Sequence, residues 1–255
     1  ASGGFGPKIS LEYDSGGGVS ELGMGWRLGG LPRIRRRTED GLPSFNSTDE
    51  FEVVGLGLPC ELVQVAGGFF RPTRENGSFV RIARSSDGVS WEARDKSGMT
   101  YRFGGAEFSE KENTNIAAYL LREQLDLHGH KISYKWDTSG GNGLLTGVVW
   151  NDFSSDARNE AVFSYEERPD PHVRYSAGIR QELKKRLTVI DVKHGGQLVR
   201  RYTLTYDSGV HSVLKSVVVV GQDGVTAMPT LSLAYTAPSF ASDGQITAMK
   251  SPPGK

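Results

Sequence analysis

Residues 187–206 read LTVIDVKHGGQLVRRYTLTY. Two runs rich in β-branched and aromatic residues flank Lys193-His194-Gly195-Gly196, and Tyr202-Thr203-Leu204-Thr205-Tyr206 alternates apolar with polar. A period of two puts every second side chain on one face of an extended strand. A glycine pair between two such runs supplies the positive φ that a tight reversal needs. The stretch therefore predicts a β-hairpin. Working outward, the same alternation recurs in Ile9-Ser10-Leu11-Glu12-Tyr13, Ile132-Ser133-Tyr134-Lys135-Trp136 and Leu231-Ser232-Leu233-Ala234-Tyr235. Turn signals separate the runs: Ser86-Asp87-Gly88, Asp95-Lys96-Ser97-Gly98 and Gly221-Gln222-Asp223-Gly224. No long segment places apolar residues at i, i+3, i+4 and i+7; the best helical candidate, residues 115–125, fits a strand about as well. The expected fold class is all-β: many short antiparallel strands and hairpins forming a curved sheet or shell segment, in one or two sub-sheets.

Composition agrees. The 255 residues include 33 glycines with no fixed period, which suits many tight strand connections rather than a collagen-type repeat. Lys+Arg and Asp+Glu both number 30, a formal net charge of zero. Without excess cations to displace counterions from phosphates, nucleic acid is not an expected partner. The single cysteine, Cys60, cannot form an internal disulfide. No stretch approaches the 18 or so apolar residues of a membrane helix, so no membrane insertion is expected of this segment. The first residues, Ala1-Ser2-Gly3-Gly4, lack the basic and apolar regions of a signal peptide. Along the chain we expect one β domain over 1–236, loop-rich in 1–65, hairpin-built in 66–180 and a meander in 181–236. Residues 237–255, rich in Pro, Ser and Gly, read as a linker or a cut end of a longer polypeptide.

Candidate chemistry is sparse. Ser15-Gly16-Gly17-Gly18 follows a strand but lacks the Gly-Lys-Ser/Thr and helix of a phosphate loop. Arg33-Ile34-Arg35-Arg36-Arg37 is the main basic run; alternation puts Arg33, Arg35 and Arg37 on one face, solvated or internally paired. Asp40, Asn46, Thr48, Asp49 and Glu50 offer oxygens without the spacing of a Ca²⁺ loop. His128, His130, His172, His194 and His211 read mainly as exposed turn histidines rather than zinc ligands. No Gly-x-Ser-x-Gly nucleophile turn is present. Glu110-Lys111-Glu112 has the Glu-x-Glu spacing of some ADP-ribosyltransferases, yet sits in a polar stretch that reads as a solvated loop. No catalytic residue, metal site or cofactor is expected.

One loose repeat stands out. Asp95-x-x-Gly98 precedes Tyr101-x-Phe103, and Asp126-x-x-Gly129 precedes Tyr134-x-Trp136. Each pairs an Asp/Gly turn with a strand bearing aromatics on one face, as in the YD-repeat hairpins of Rhs-type proteins; two ordinary hairpins would read the same. A more specific likeness runs through Pro7, Leu11, Tyr13, Ser15 and Gly16, then Gly23, Gly25 and Trp26, then Pro32, Ile34 and Arg36, then Gly41 and Pro43. It continues through Trp91, Gly98, Tyr101 and Gly104, through Arg168-Pro169-Asp170, Arg186 and Leu187, and through Tyr202, Tyr206 and Ser212-x-Leu214. In this order the motifs resemble the SpvB / TcaC N-terminal domain family of toxin-complex B components. Phe45 stands where the family usually has Tyr, and the 15–20 loop lacks the family's Asn.

The resemblance implies a non-catalytic structural domain: part of a β shell that encapsulates a C-terminal toxin, secreted as part of a toxin complex. Its implied partners are neighbouring Rhs/YD-repeat and β-propeller domains and, indirectly, a pore-forming A component. The family's ADP-ribosyltransferase is a separate domain that this chain does not match. The alternative reading is a β-rich binding module for a host glycan or a partner protein.

Overall fold

The computed structural model describes residues 5–235 apart from 57–59, 75–76, 78, 153 and 155–156. Among these residues the chain is built of strands, plus a single 3-10 turn at Ala66–Gly68. Four short strands open it: β1 (Ser10–Tyr13), β2 (Val19–Ser20), β3 (Gly23–Met24) and β4 (Trp26–Gly29). Seven follow: β5 (Arg33–Arg36), β6 (Phe51–Val54), β7 (Cys60–Val65), β8 (Phe69–Pro72), β9 (Arg81–Arg84), β10 (Ser90–Arg94) and β11 (Thr100–Gly104). The remainder are β12 (Ser109–Glu112), β13 (Asn115–Leu125), β14 (Lys131–Asp137), β15 (Leu144–Trp150), β16 (Asn159–Ser176), β17 (Ile179–His194), β18 (Gln197–Ser208), β19 (Ser212–Val220) and β20 (Leu231–Ser232). The all-β architecture of antiparallel hairpins holds.

Strands β5 to β11 pair in sequence order, and β13 pairs with both ends of that run, so eight antiparallel strands close on themselves. From β13 the sheet continues as a meander, β14 to β20, each strand against the next. Residues 115–125 are thus a strand, and the helical alternative is set aside. The ambiguity has a physical cause. Ile116 to Leu121 are all buried, because both faces of the strand are covered. A strand covered on both faces loses the period-two pattern.

The ring is filled by alternate residues of its strands. Ile34, Phe51, Val53, Leu62, Ile82, Trp91, Ala93, Phe103, Tyr119 and Leu121 are all at most 5% exposed. Trp91 meets Phe51 and Phe70 edge-on, each at 4.9 Å between ring centres. Two guanidiniums stack into this aromatic core: Arg36 lies 5.0 Å and Arg84 4.7 Å from the Phe51 ring. Arg36 is neutralised by Asp49 and donates to Ile116 O at 2.8 Å. Asp49 also accepts Ser44 N–H at 2.8 Å and Asn46 N–H at 3.1 Å, which organises the 44–50 loop.

In the meander, β16 and β17 outrun their neighbours. Beyond a bulge at Glu167/His172 they pair with each other as a projecting arm. The arm's tip reaches the ring: Ala177 and Ile179 pack with Ala117 and Phe45. The N-terminal strands form two small sheets, β1–β4 and β2–β3, lying on the main sheet, with Leu22 fully buried.

Gly104, at the end of β11, has φ 78°, and a Cβ there would sit 2.4 Å from Val89 O and 2.8 Å from the Tyr119 ring. Both the conformation and the space exclude a side chain. Gly104→Ala is expected to destabilise the chain by about 1–3 kcal/mol, read as a lower urea midpoint with unchanged slope.

Candidate functional site

The densest buried polar network lies where the N-terminal segment meets the meander. The Arg168 side chain is fully buried and clamps Asp170 through two hydrogen bonds, Nε at 3.1 Å and Nη2 at 3.0 Å. Its third arm donates to Ser20 O at 3.0 Å, on β2. Asp170 in turn accepts Ser212 N–H at 2.6 Å and the Ser212 hydroxyl at 2.5 Å, at the start of β19. Arg186 donates to the Ser212 hydroxyl at 2.9 Å and to Glu166 at 2.7 Å, and stacks 4.7 Å over the Tyr206 ring. Tyr206 donates to Leu187 O at 2.5 Å, and Leu187 N–H donates to Glu21 O at 2.8 Å. Gly23 closes the seam: with φ 90°, its missing Cβ would lie 2.5 Å from Ser212 O. Burial alone would raise the Asp170 pKa, but hydrogen bonds from Arg168 and Ser212 outweigh it and hold the carboxyl well below the usual range.

The motif residues quoted above fall into three places. In the N-terminal segment, Pro7 and Leu11 are half-buried, and Ser15 and Gly16 are exposed. Tyr13 packs 5.2 Å from the Trp26 ring, and Gly25 would push a Cβ to 2.8 Å from Tyr13. Trp26 donates to Tyr235 Oη at 2.8 Å, which donates to Leu214 O at 2.6 Å. In the ring, Pro32, Ile34, Arg36 and Trp91 are buried, while Gly41 is exposed and Pro43 half-buried. Gly98 turns beneath Leu127. Burial, aided by Asp95, pushes the Tyr101 hydroxyl up to about 12. In the meander, Arg186, Leu187 and Tyr206 join the seam, and half-buried Tyr202 accepts from Arg200 at 3.3 Å.

The basic run is paired. Arg35 meets Glu52 at 2.6 Å, and Arg37 meets Glu39, Glu50 and Glu61 at 2.6, 2.5 and 3.0 Å. Among the described residues no group of three or more His, Cys, Asp or Glu could hold a metal ion. His130 pairs with Asp126 at 2.6 Å and His194 with Asn159 at 2.8 Å, while His172 and His211 lie 6.4 Å apart.

Glu110 departs from its reading as part of a solvated loop. Ser109–Glu112 is strand β12, and the Glu110 side chain is 5% exposed, whereas Glu112 faces solvent. Glu110 accepts Gly143 N–H at 3.1 Å and Gln181 Nε2 at 2.9 Å, with Arg33 at 3.9 Å. Gln181 belongs to the arm, so this carboxylate ties the arm to β12, which pairs with β13 of the ring. Its partners are 33 and 71 positions away along the chain, and no local pattern announces them.

A closed ring, a meander sharing one of its strands and an N-terminal segment seamed to that meander make up one all-β domain. Residues 1–66 match the family described as Salmonella virulence plasmid 65kDa B protein. The mono(ADP-ribosyl)transferase SpvB of Salmonella typhimurium strain 14028s is 27% identical over 173 aligned residues, covering 55% of this chain and 28% of the relative. The Salmonella dublin protein gives the same figures. The chain therefore matches little more than a quarter of the length of these curated relatives. In fold it is similar to the N-terminal domain of effector protein SpvB from Salmonella typhimurium LT2, with TM-score 0.75 and 22% identity over 86% of this chain and 95% of that one. A TcdB2-TccC3-Cdc42 structure gives TM-score 0.77 and 22% identity over 92% of this chain and 15% of that one. The Photorhabdus luminescens Tc holotoxin pore gives 0.74 and 23% over 91% and 15%. The resemblance read from the motifs thus holds, in the first 66 residues by sequence and across the domain by fold.

Asp170→Ala would leave the fully buried Arg168 charge without its partner, a loss of about 3–5 kcal/mol. Because Asp170 has a depressed folded-state pKa, its contribution is in full force above the unfolded value of about 4 and is lost as pH falls towards the folded one. Wild-type stability should therefore drop in acid along a limb that is flattened in Asp170→Ala, measured by urea unfolding between about pH 2 and 6.

Proposed function

We propose that this chain is a non-catalytic wall domain of a bacterial toxin shell, one that helps enclose a C-terminal toxic segment. The observation that carries the reading is the recurrence of its fold as 15% of much longer chains in the TcdB2-TccC3 and Tc holotoxin structures, and as a nearly complete SpvB N-terminal domain. Physical features support it. The ring has no free edge, and among the described residues the last strand of the sheet is β20, a two-residue strand that a neighbouring sheet can extend. The buried charges of the seam are spent on one another, which suits a rigid wall better than a reacting centre. Glu110, the member of the Glu-x-Glu pair with a buried carboxylate, is held by an amide, a backbone N–H and a nearby guanidinium. Neighbouring YD-repeat and propeller domains would be its direct partners and a pore-forming component an indirect one, in a secreted complex.

In the full polypeptide that carries this domain, limited proteolysis should spare the C-terminal segment, and removing residues 1–235 should expose it to cleavage. Equal protease sensitivity with and without the domain, in a particle that electron microscopy shows to be open, would sink the reading.

A further inference from the structure

Beside the Glu110 tie lies an open cleft of about 230 Å³, walled by the 14–33 segment, β12, β13, the 136–145 region and Arg174 of the arm. It is smaller than the roughly 300–1,000 Å³ of pockets for drug-sized molecules, which suits one small chemical unit. Two half-buried indoles, Trp26 and Trp136, line it. Each is fixed by its own N–H: Trp26 to Tyr235 Oη and Trp136 to Leu121 O, both at 2.8 Å. What the rings offer the cleft is therefore apolar surface already held in place.

The polar lining complements it. A carboxylate has about four acceptor sites, and Glu110 uses two for Gly143 and Gln181. Asn142 lines the same cleft, is 4% exposed, and its side-chain amide has no hydrogen-bond partner among the described residues. Its amide atoms are not among the sealed polar atoms left without a partner, so they reach solvent, where they can pair with the hydroxyls of a ligand. The ionic lining is balanced, with Arg27, Arg33 and Arg174 against Asp14, Glu21 and Glu110. Balanced charge selects no ion. It favours a neutral ligand with hydroxyls for the carboxylate, amide and guanidinium and an apolar face for an indole. A pyranose ring has that chemistry.

We propose that this cleft binds one pyranose residue of a neutral glycan, a function separate from the shell role and independent of it. The test is a glycan array probed with the full chain, followed by NMR titration with D-glucose, D-galactose and N-acetylglucosamine. Saturable millimolar binding is expected, with the Trp26 and Trp136 indole N–H signals shifting and those of Trp91 and Trp150 unmoved. Arg33→Ala and Asn142→Ala should each weaken it by about tenfold. The indole shifts read the site in the unaltered chain, so the test does not depend on either variant folding. No saturable neutral-sugar binding up to about 10 mM, a weak affinity by any measure, would overturn the proposal. So would binding that leaves both indoles unshifted, or a preference for sialylated or sulfated glycans.

Discussion

One strand has to serve two sheets. β13 closes the eight-stranded ring through β5 and β11 and also begins the meander through β14. Side chains on a strand alternate, so a slip of one residue would turn Tyr119 and Leu121 out of the ring and bring Ala118 and Leu120 in. The register of β13 therefore fixes ring and meander together. At Ala117 its second face is covered by Ala177 and Ile179 at the tip of the arm. The register of β13 also sets the placement of everything outside the ring, because the meander carries the arm and supports the N-terminal segment.

The segments that leave the main sheet are tied back by hydrogen-bonded charges. Arg168 and Asp170 join β2 to β19, and Glu110 and Gln181 join β12 to the arm. Buried ion pairs contribute little net stability compared with apolar packing, but they tolerate few alternative geometries. Their value here is in orientation. A loosely packed apolar contact would let the N-terminal hairpin shift along the meander; the Arg168 fork and the close approach of Gly23 to Ser212 leave it one seat. Near the described C-terminal end, Tyr235 meets Trp26 across 209 positions of sequence, so early and late parts of the domain are fastened to each other.

This construction accounts for a domain that is rich in buried polar groups while its fold relatives belong to large toxin assemblies. Most of those groups face one another along internal seams. The cleft beside Glu110 is different, because rigidly held indoles and an unpartnered amide open there to solvent. The proposed wall role and the proposed recognition cleft are compatible, since the same ties that would stiffen the one would preorganise the other.

Strand character was legible in the sequence because alternation and Asp/Gly turns act over a few residues. The 187–206 hairpin and the strands around Trp91 and Tyr134 follow from local pattern; the alternation of the basic run was legible too, but its partners Glu52, Glu50 and Glu61 lie on or beside neighbouring strands. The Arg168-Pro169-Asp170 and Ser212 motifs were visible as separate marks, but nothing local says that one clamps the other. Glu110 was misread for the same reason: its partners arrive from distant segments, and a polar neighbourhood in sequence became a buried one in space. Residues 115–125 stayed ambiguous because covering both faces erases the alternation by which a strand is known. The sequence by itself determined that the chain would pleat and where it would turn. Ring closure, the double use of β13 and the cleft were decided by tertiary structure, because each depends on which strand edges and side chains meet across long separations.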